Sequence, residues 1–196
     1  MDQLLGFDER LYLAILAARS QLVGIIAVIV TFANFQGLVW WILGGALMRN
    51  RGGGRRGAWI GLTIAIGLGL SWAVAEMLKE IVRRPRPYLA LVGAPPTLID
   101  PPSSFSFPSG DAALAFGAAV ALGQVLPRLR LFGLLLASAI ALSRVVVGVH
   151  YPLDVLAGAV LGLAVATALR LSLARFAFRS GSRPAAAPIG RQPRER

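Results

Sequence analysis

The 196-residue chain contains no cysteine, one histidine (His150) and one lysine (Lys79). The missing cysteines exclude disulfides, thiolate metal sites and a cysteine nucleophile, and a lone histidine excludes a structural zinc site of the Cys/His type. Charge is scarce too: 15% of residues are charged, against about 25% in soluble domains, whereas 56% are hydrophobic and the mean hydropathy is +0.68. A soluble domain of this length has too little interior for that much apolar surface, so the composition points to lipid.

Acids are the scarcer sign, 9 against 20 basic residues, for a formal net charge of +11. In a soluble protein this excess would suggest nucleic acid or an acidic partner. Here most arginines fall in short breaks between apolar runs and in the tail after Leu169, where anionic headgroups and the positive-inside rule account for them. No nucleic-acid partner is expected, and the sequence leaves oligomeric state open. The opening MDQLLGFDER lacks a basic leader, so membrane insertion is expected to be driven by internal apolar segments.

The apolar runs predict an all-α, polytopic membrane helix bundle with five or six transmembrane helices. Residues 1–20 are expected to form an N-terminal interfacial segment, residues 21–176 a membrane-embedded domain, and residues 177–196 a disordered basic cytoplasmic tail. The uncharged stretch Ser20 to Met48 carries Asn34, Gln36 and Gly37 near its middle and reads either as one long tilted helix or as two pieces. Gly57 to Ala75 is uncharged and close to the ~20 residues needed to span. A proline-rich irregular loop is expected from Glu80 to Pro108. Three more apolar runs follow: Ala112 to Leu126, Leu131 to Val149 with Arg144 inside it, and Val155 to Leu169.

The connections fall into two sets. Residues 49–56, residues 127–130 and the tail from Arg170 hold four, two and seven arginines, which marks their side as cytoplasmic, with the C-terminus there. The 80–110 loop and the 150–154 turn fall on the opposite face, outside or periplasmic, and carry the unusual polar residues. Polar groups near a bilayer are costly and usually functional. On that face Lys79, Arg83, Arg84 and Arg86 form a cationic cluster. Arg83 and Arg84 read equally well as snorkelling to headgroups, while Lys79 and the proline-flanked Arg86 suit an anionic oxygen cluster.

Next, Pro108-Ser109-Gly110-Asp111 opens an apolar helix. Taken alone it reads as an ordinary capped helix start, or as an anion site made of free N–H groups and the helix dipole. Finally, in Ser143-Arg144-(x)5-His150-(x)3-Asp154, Pro152 suits the first turn of the last helix. That places Asp154 where it can accept the Nδ1–H of His150 and leave Nε2 as a nucleophilic lone pair. The alternative is a packed interfacial histidine with Asp154 as a capping residue. Asp154, Gly158 and Gly162 share one stripe, which suggests close helix packing with Asp154 on the interior face.

Lys79-(x)6-Arg86-Pro87, Pro108-Ser109-Gly110 and Ser143-Arg144-(x)5-His150-(x)3-Asp154 together resemble the three-part signature of the type-2 phosphatidic acid phosphatase superfamily, over roughly residues 55 to 170. Members of that superfamily are integral-membrane lipid phosphatases with a six-helix core, related to vanadium haloperoxidases. The resemblance implies that Lys79, Arg86 and Arg144 hold phosphate, with the Ser109 hydroxyl and Gly110 N–H completing the cradle. It implies that His150 attacks phosphorus to form a phosphohistidine, oriented by Asp154, with no metal and no other cofactor. The partners so implied are a membrane lipid phosphate or polyprenyl diphosphate substrate and the bilayer itself.

One position departs from the pattern. Where the family has a histidine that protonates the leaving group, this chain has Asp111. Either a protonated Asp111 serves as the acid, or the substrate needs little acid help, as a lipid diphosphate would. A third reading is a catalytically impaired or engineered member that binds or flips lipid phosphates.

Overall fold

The computed structural model describes residues 2–50 and 54–181. These residues form eight α-helices, α1 Asp2–Ala17, α2 Gln21–Ala33, α3 Leu38–Asn50, α4 Gly54–Val82, α5 Pro87–Ala90, α6 Gly110–Val125, α7 Arg130–Val146 and α8 Pro152–Gly181, with 3₁₀ turns at Phe35–Gly37 and Pro127–Leu129. No strand occurs among the described residues. The last helix continues through residues 177–181, the beginning of the expected tail, and the rest of that tail lies outside the described residues.

Three stretches, Gly61–Ala90, Pro127–Val146 and Pro152–Ser172, are long and apolar enough to cross a membrane. A fourth is counted if Leu5–Ala17 and Gln21–Ala33, bent by 111° at their junction, form one broken span. By length and apolarity this is fewer than the five or six spans expected, because two of the expected runs are short: α3 has 13 residues and α6 has 16.

The uncharged stretch from Ser20 to Met48 is two helices. Gly37 adopts φ 79°, a left-handed conformation natural to glycine, and an added Cβ there would press on Leu68 and Leu114 at 3.1 Å each. Beside it Asn34 is buried and aims its amide into the bundle, so the break is fixed by tertiary contact.

α6 is the centre of the molecule and packs on α4, α7 and α8. Its sequence explains this position. Ala112, Ala113, Ala115, Ala118, Ala119 and Ala121 are buried on nearly every side of the helix, and small residues let neighbouring backbones approach. The largest core cluster surrounds it, with Trp40, Ile64, Leu68, Leu122 and Ile140. On α8 the stripe predicted from sequence makes the closest approach: a Cβ on Gly158 would overlap the Ser109 carbonyl, and one on Gly162 the Ala113 carbonyl. Many large apolar side chains on outer faces are exposed, Leu22, Ile29, Ile42, Leu131, Leu135, Leu156 and Val160 among them, as expected of surfaces that face lipid.

The chain direction sorts the ends of the bundle. α4 and α7 run toward the end where α6 and α8 begin. The end of α3, the start of α4 and the connection at 127–130, together with the C-terminal part of α8, belong to the other end.

The glycine contacts set an expectation for stability. Gly158→Ala and Gly162→Ala each lower stability by about 1–3 kcal/mol through overpacking. Gly45→Ala, where an added Cβ meets nothing within 4 Å, leaves stability unchanged or raises it by up to ~1 kcal/mol. Thermal unfolding of the three variants in one detergent measures the contrast.

Candidate active site

The site forms where the C-terminal ends of α4 and α7 meet the N-terminal ends of α6 and α8. α4 stops at Arg83, which adopts φ 49° and donates its backbone N–H to the Lys79 carbonyl at 2.9 Å. This left-handed residue ends the helix as a C′ residue does. It reverses the chain, so that Arg84 and Arg86 return over the bundle end while Arg83 stays exposed.

Lys79 is buried at 5% exposure, its Nζ 2.7 Å from Glu76 Oε1. Both heads lie over the first residue of α6: a Cβ on Gly110 would stand 2.9 Å from Glu76 Oε1 and 3.5 Å from Lys79 Nζ. Glycine at that position leaves the ion pair room, and a side chain there would displace the Glu76 carboxylate end. Ser109, fully buried, caps α6 by accepting from Ala112 N, and its own N–H donates to the Asp154 carbonyl at 2.9 Å. The first turn of α6 thus presents backbone donors and its positive dipole end toward Lys79.

Arg86 is buried and clamped. Nε donates to the Ser104 carbonyl (2.6 Å), Nη2 to Ser104 Oγ (3.0 Å) and Nη1 to the Val149 carbonyl (2.9 Å). Nη1 also lies 3.3 Å from His150 Nε2. Of the five guanidinium N–H groups, the long contact to His150 and one remaining Nη2 proton are those free to serve a phosphate.

His150 is buried, with Nδ1 3.5 Å from Asp154 Oδ2. The pair is at ion-pair range, and its alignment falls short of a hydrogen bond, so Nδ1 has no hydrogen-bond partner. Nε2 faces a guanidinium donor and so acts as an acceptor, which matches an imidazole protonated on Nδ1. Burial pushes the imidazole pKa down to about 4; Asp154 opposes the shift, and Arg86 and Arg144 reinforce it. His150 is therefore neutral at neutral pH. Asp154 is fully buried: Oδ2 accepts from Tyr151 N at 2.9 Å and Oδ1 from Arg84 Nη1 at 2.7 Å.

Arg144 is buried at the end of α7, its Nε 3.1 Å from Asp111 Oδ2 and without a well-aligned hydrogen bond. Asp111 receives a second contact from Asn34 Nδ2 at 3.4 Å. The residue at the departing position is thus neighboured by an arginine and an amide. Ser143, next to Arg144, bonds Thr31 Oγ1 at 3.0 Å and fixes α7 against α2.

The eight sequence-predicted residues meet in three linked sets: Lys79 with Gly110, Ser109 with Asp154 and His150, and Arg144 with Asp111, with Arg86 touching His150. Sequence reading did not single out Glu76, Asn34 or Asp8, and it left Arg84 balanced between a site role and snorkelling. Arg84 is inside the site. Its guanidinium bridges Asp154 and Asp8 at 2.7 and 2.8 Å and stacks on the Tyr151 ring at 3.8 Å. Asp8 comes from α1, far away in sequence, and only a shortage of acids in the chain could have drawn attention to it. Among the described residues, no group of three or more His, Cys, Asp or Glu side chains is placed to hold a metal ion.

Comparison with known proteins bears on the whole arrangement. Residues 58–177 match the model of the PAP2 superfamily. The undecaprenyl-diphosphatase of Sulfolobus acidocaldarius is 36% identical over 105 residues, 53% of this chain and 50% of that protein. The decaprenylphosphoryl-5-phosphoribose phosphatase of Mycobacterium tuberculosis is 37% identical over 113 residues, 57% of this chain and 59% of that protein. The chain thus spans about half the length of the curated relatives it matches. Among solved structures, a transmembrane PAP2-type phosphatidylglycerolphosphate phosphatase from Bacillus subtilis superposes with a TM-score of 0.67 at 26% identity, covering 93% of this chain and 90% of that one. Aquifex aeolicus LpxE superposes with a TM-score of 0.68 at 27% identity over 81% and 91%. The expected resemblance holds: the chain is a multi-pass membrane protein and belongs to the PAP2 superfamily.

Proposed function

We propose that this chain is an integral-membrane phosphohydrolase that removes phosphate from a lipid phosphate or polyprenyl diphosphate through a phosphohistidine on His150. The observation that carries the reading is the buried His150, with Nε2 beside Arg86 and Nδ1 facing Asp154. In the first step the Nε2 lone pair forms a bond to phosphorus while the bond to the leaving oxygen breaks. Asp154 balances the positive charge that develops on the imidazole. Lys79, Arg86, Arg144 and the first-turn N–H groups of α6 stabilise the charge on the phosphoryl oxygens. Water then attacks the phosphohistidine, the N–P bond breaks, and phosphate leaves with neutral His150 restored. No step calls on a metal ion.

Asp111 bears on the substrate. In place of the proton-donating histidine of the superfamily signature this chain has an acid already engaged by Arg144 and Asn34, so the alkoxide that a monophosphate must expel is left with little help. A diphosphate expels a phosphate ester, which needs no such proton. This favours a lipid diphosphate, and relatives named for an undecaprenyl diphosphate and a decaprenylphosphoryl sugar phosphate support a polyprenyl chain. Sidedness follows from charge: the site lies at the bundle end opposite the arginine-bearing connections, which assigns it to the outer or periplasmic face with the C-terminus in the cytoplasm.

Three outcomes are expected. With EDTA present, the detergent-purified protein releases phosphate from polyprenyl diphosphate faster than from the monophosphate. His150→Ala loses about 1,000-fold or more, Asp154→Asn about 100-fold or more, and Asp111→His raises monophosphate turnover relative to diphosphate. Saturable lipid binding with no release, and no gain in Asp111→His, would instead identify a lipid-phosphate binder. The acid limb of kcat/KM lies near pH 4 to 5, well below the ordinary histidine value of about 6.5, because protonation of Nε2 removes the nucleophile only there; a pH–rate profile measures it. Finally, because the chain has no cysteine, Val92→Cys in the fully exposed loop reacts in intact cells or spheroplasts with a membrane-impermeant maleimide.

A further inference from the structure

We infer that Asp8, on α1, is a positioning residue for the His150–Asp154 pair and acts through Arg84. The inference rests on the phosphohistidine reading above. It concerns a residue outside the stretch 58–177 that matches the superfamily.

Asp8 is a fully buried carboxylate in an apolar bundle, and both of its oxygens are engaged at the site. Oδ2 accepts from Arg84 Nη2 at 2.8 Å and Oδ1 from Leu153 N at 2.9 Å. Leu153 lies in the first turn of α8, whose N–H groups have no partner within the helix, and Pro152 before it has no N–H to cap. Asp8 therefore caps α8 from another element and at the same time holds the guanidinium that holds Asp154. The residue gripped on both sides is the one that orients His150.

The rest of α1 and the turn after it hold the same segment. Tyr12 donates to the Gly148 carbonyl at 3.1 Å and packs its ring 5.6 Å from that of Tyr151. Arg19 donates to the Val146 carbonyl at 2.9 Å. Residues 146–153 are thus held at four places by Asp8, Tyr12 and Arg19, and of these three Asp8 is the one that also bonds a charged member of the site.

The charge arrangement explains why a carboxylate is needed there. Arg84 lies between two carboxylates, so Asp154 shares it. With Asp8 neutral, the guanidinium turns to bind Asp154 with both nitrogens, the favoured geometry of this pair. Asp154 is then drawn away from Tyr151 N and from His150 Nδ1 and has less negative charge to offer the imidazole as it becomes positive. Asp8 bonds Arg84 and Leu153 and not the phosphate ligands Lys79, Arg86 and Arg144, so the loss falls on the chemical step and leaves binding intact.

The test is Asp8→Asn, which keeps the acceptor for Leu153 N and removes the charge, measured in the wild-type and Arg84→Ala backgrounds, with the uncharged Arg84→Gln used if Arg84→Ala does not fold. The readouts are kcat and KM for polyprenyl diphosphate and inhibition by inorganic phosphate. The expected result is a kcat lower by about 10- to 100-fold, with KM and the phosphate inhibition constant within about threefold. In the Arg84 variant background, Asp8→Asn costs less than about threefold more. Wild-type kcat in Asp8→Asn overturns the inference. So do an equal fall in both backgrounds, a parallel loss of phosphate inhibition, and loss of the monodisperse folded protein, each of which assigns Asp8 a structural role. His150→Ala separates the two readings: if it retains activity the phosphohistidine reading fails, and if it is inactive while Asp8→Asn is unimpaired only the inference about Asp8 fails.

Discussion

The contact between the start of α6 and the start of α8 is the constraint on which the site depends. The Ser109 N–H donates to the Asp154 carbonyl, and Gly158 and Gly162 leave no room for a side chain between the two helices. Two segments that are forty-five positions apart in the chain are thereby held in register. A side chain at Gly158 or Gly162 would push Asp154 and His150 away from the α6 N-terminus. A packed alanine helix at the centre of the bundle is what makes this approach possible.

Around that contact the protein keeps many charges in a place where charge is expensive. Lys79, Arg86, Arg144, Asp8 and Asp154 are all buried, and each has a stated partner. Buried pairs of this kind add little to stability against apolar replacements, but breaking one leaves a costly lone charge. Their arrangement therefore reads as positioning. Arg86 spends most of its donors on backbone and Ser104 so that one edge stays against His150, and Arg84 spends its donors on two carboxylates so that Asp154 keeps its orientation. Asp111 belongs to this pattern, its carboxylate set against Arg144 and Asn34 where a proton donor would stand in the family.

Much of this was legible in the chain. The lack of charge announced a membrane protein, the spacing of Lys79, Arg86, Ser109, Gly110, Arg144, His150 and Asp154 carried the superfamily signature, and the Gly158–Gly162 stripe gave the packing face of α8. Helix periodicity and motif spacing are local, so they survive in one dimension. Span count was less legible, because α3 and α6 are too short to qualify by length and apolarity, and the apolar run from Ser20 to Met48 hides a break fixed by Gly37 and Asn34.

The sequence by itself determined the solvent, the helical class and the superfamily signature, because each of these follows from composition or from spacing along one segment. The tertiary structure decided the partners: Arg84 with Asp8 and Asp154, Asp111 with Arg144 and Asn34, Glu76 with Gly110. Asp8 and Arg84 are separated by 76 positions and Asn34 and Asp111 by 77. No local pattern relates residues so far apart, and only the packing of α1 and α2 against the far end of the bundle brings their charges within hydrogen-bond distance.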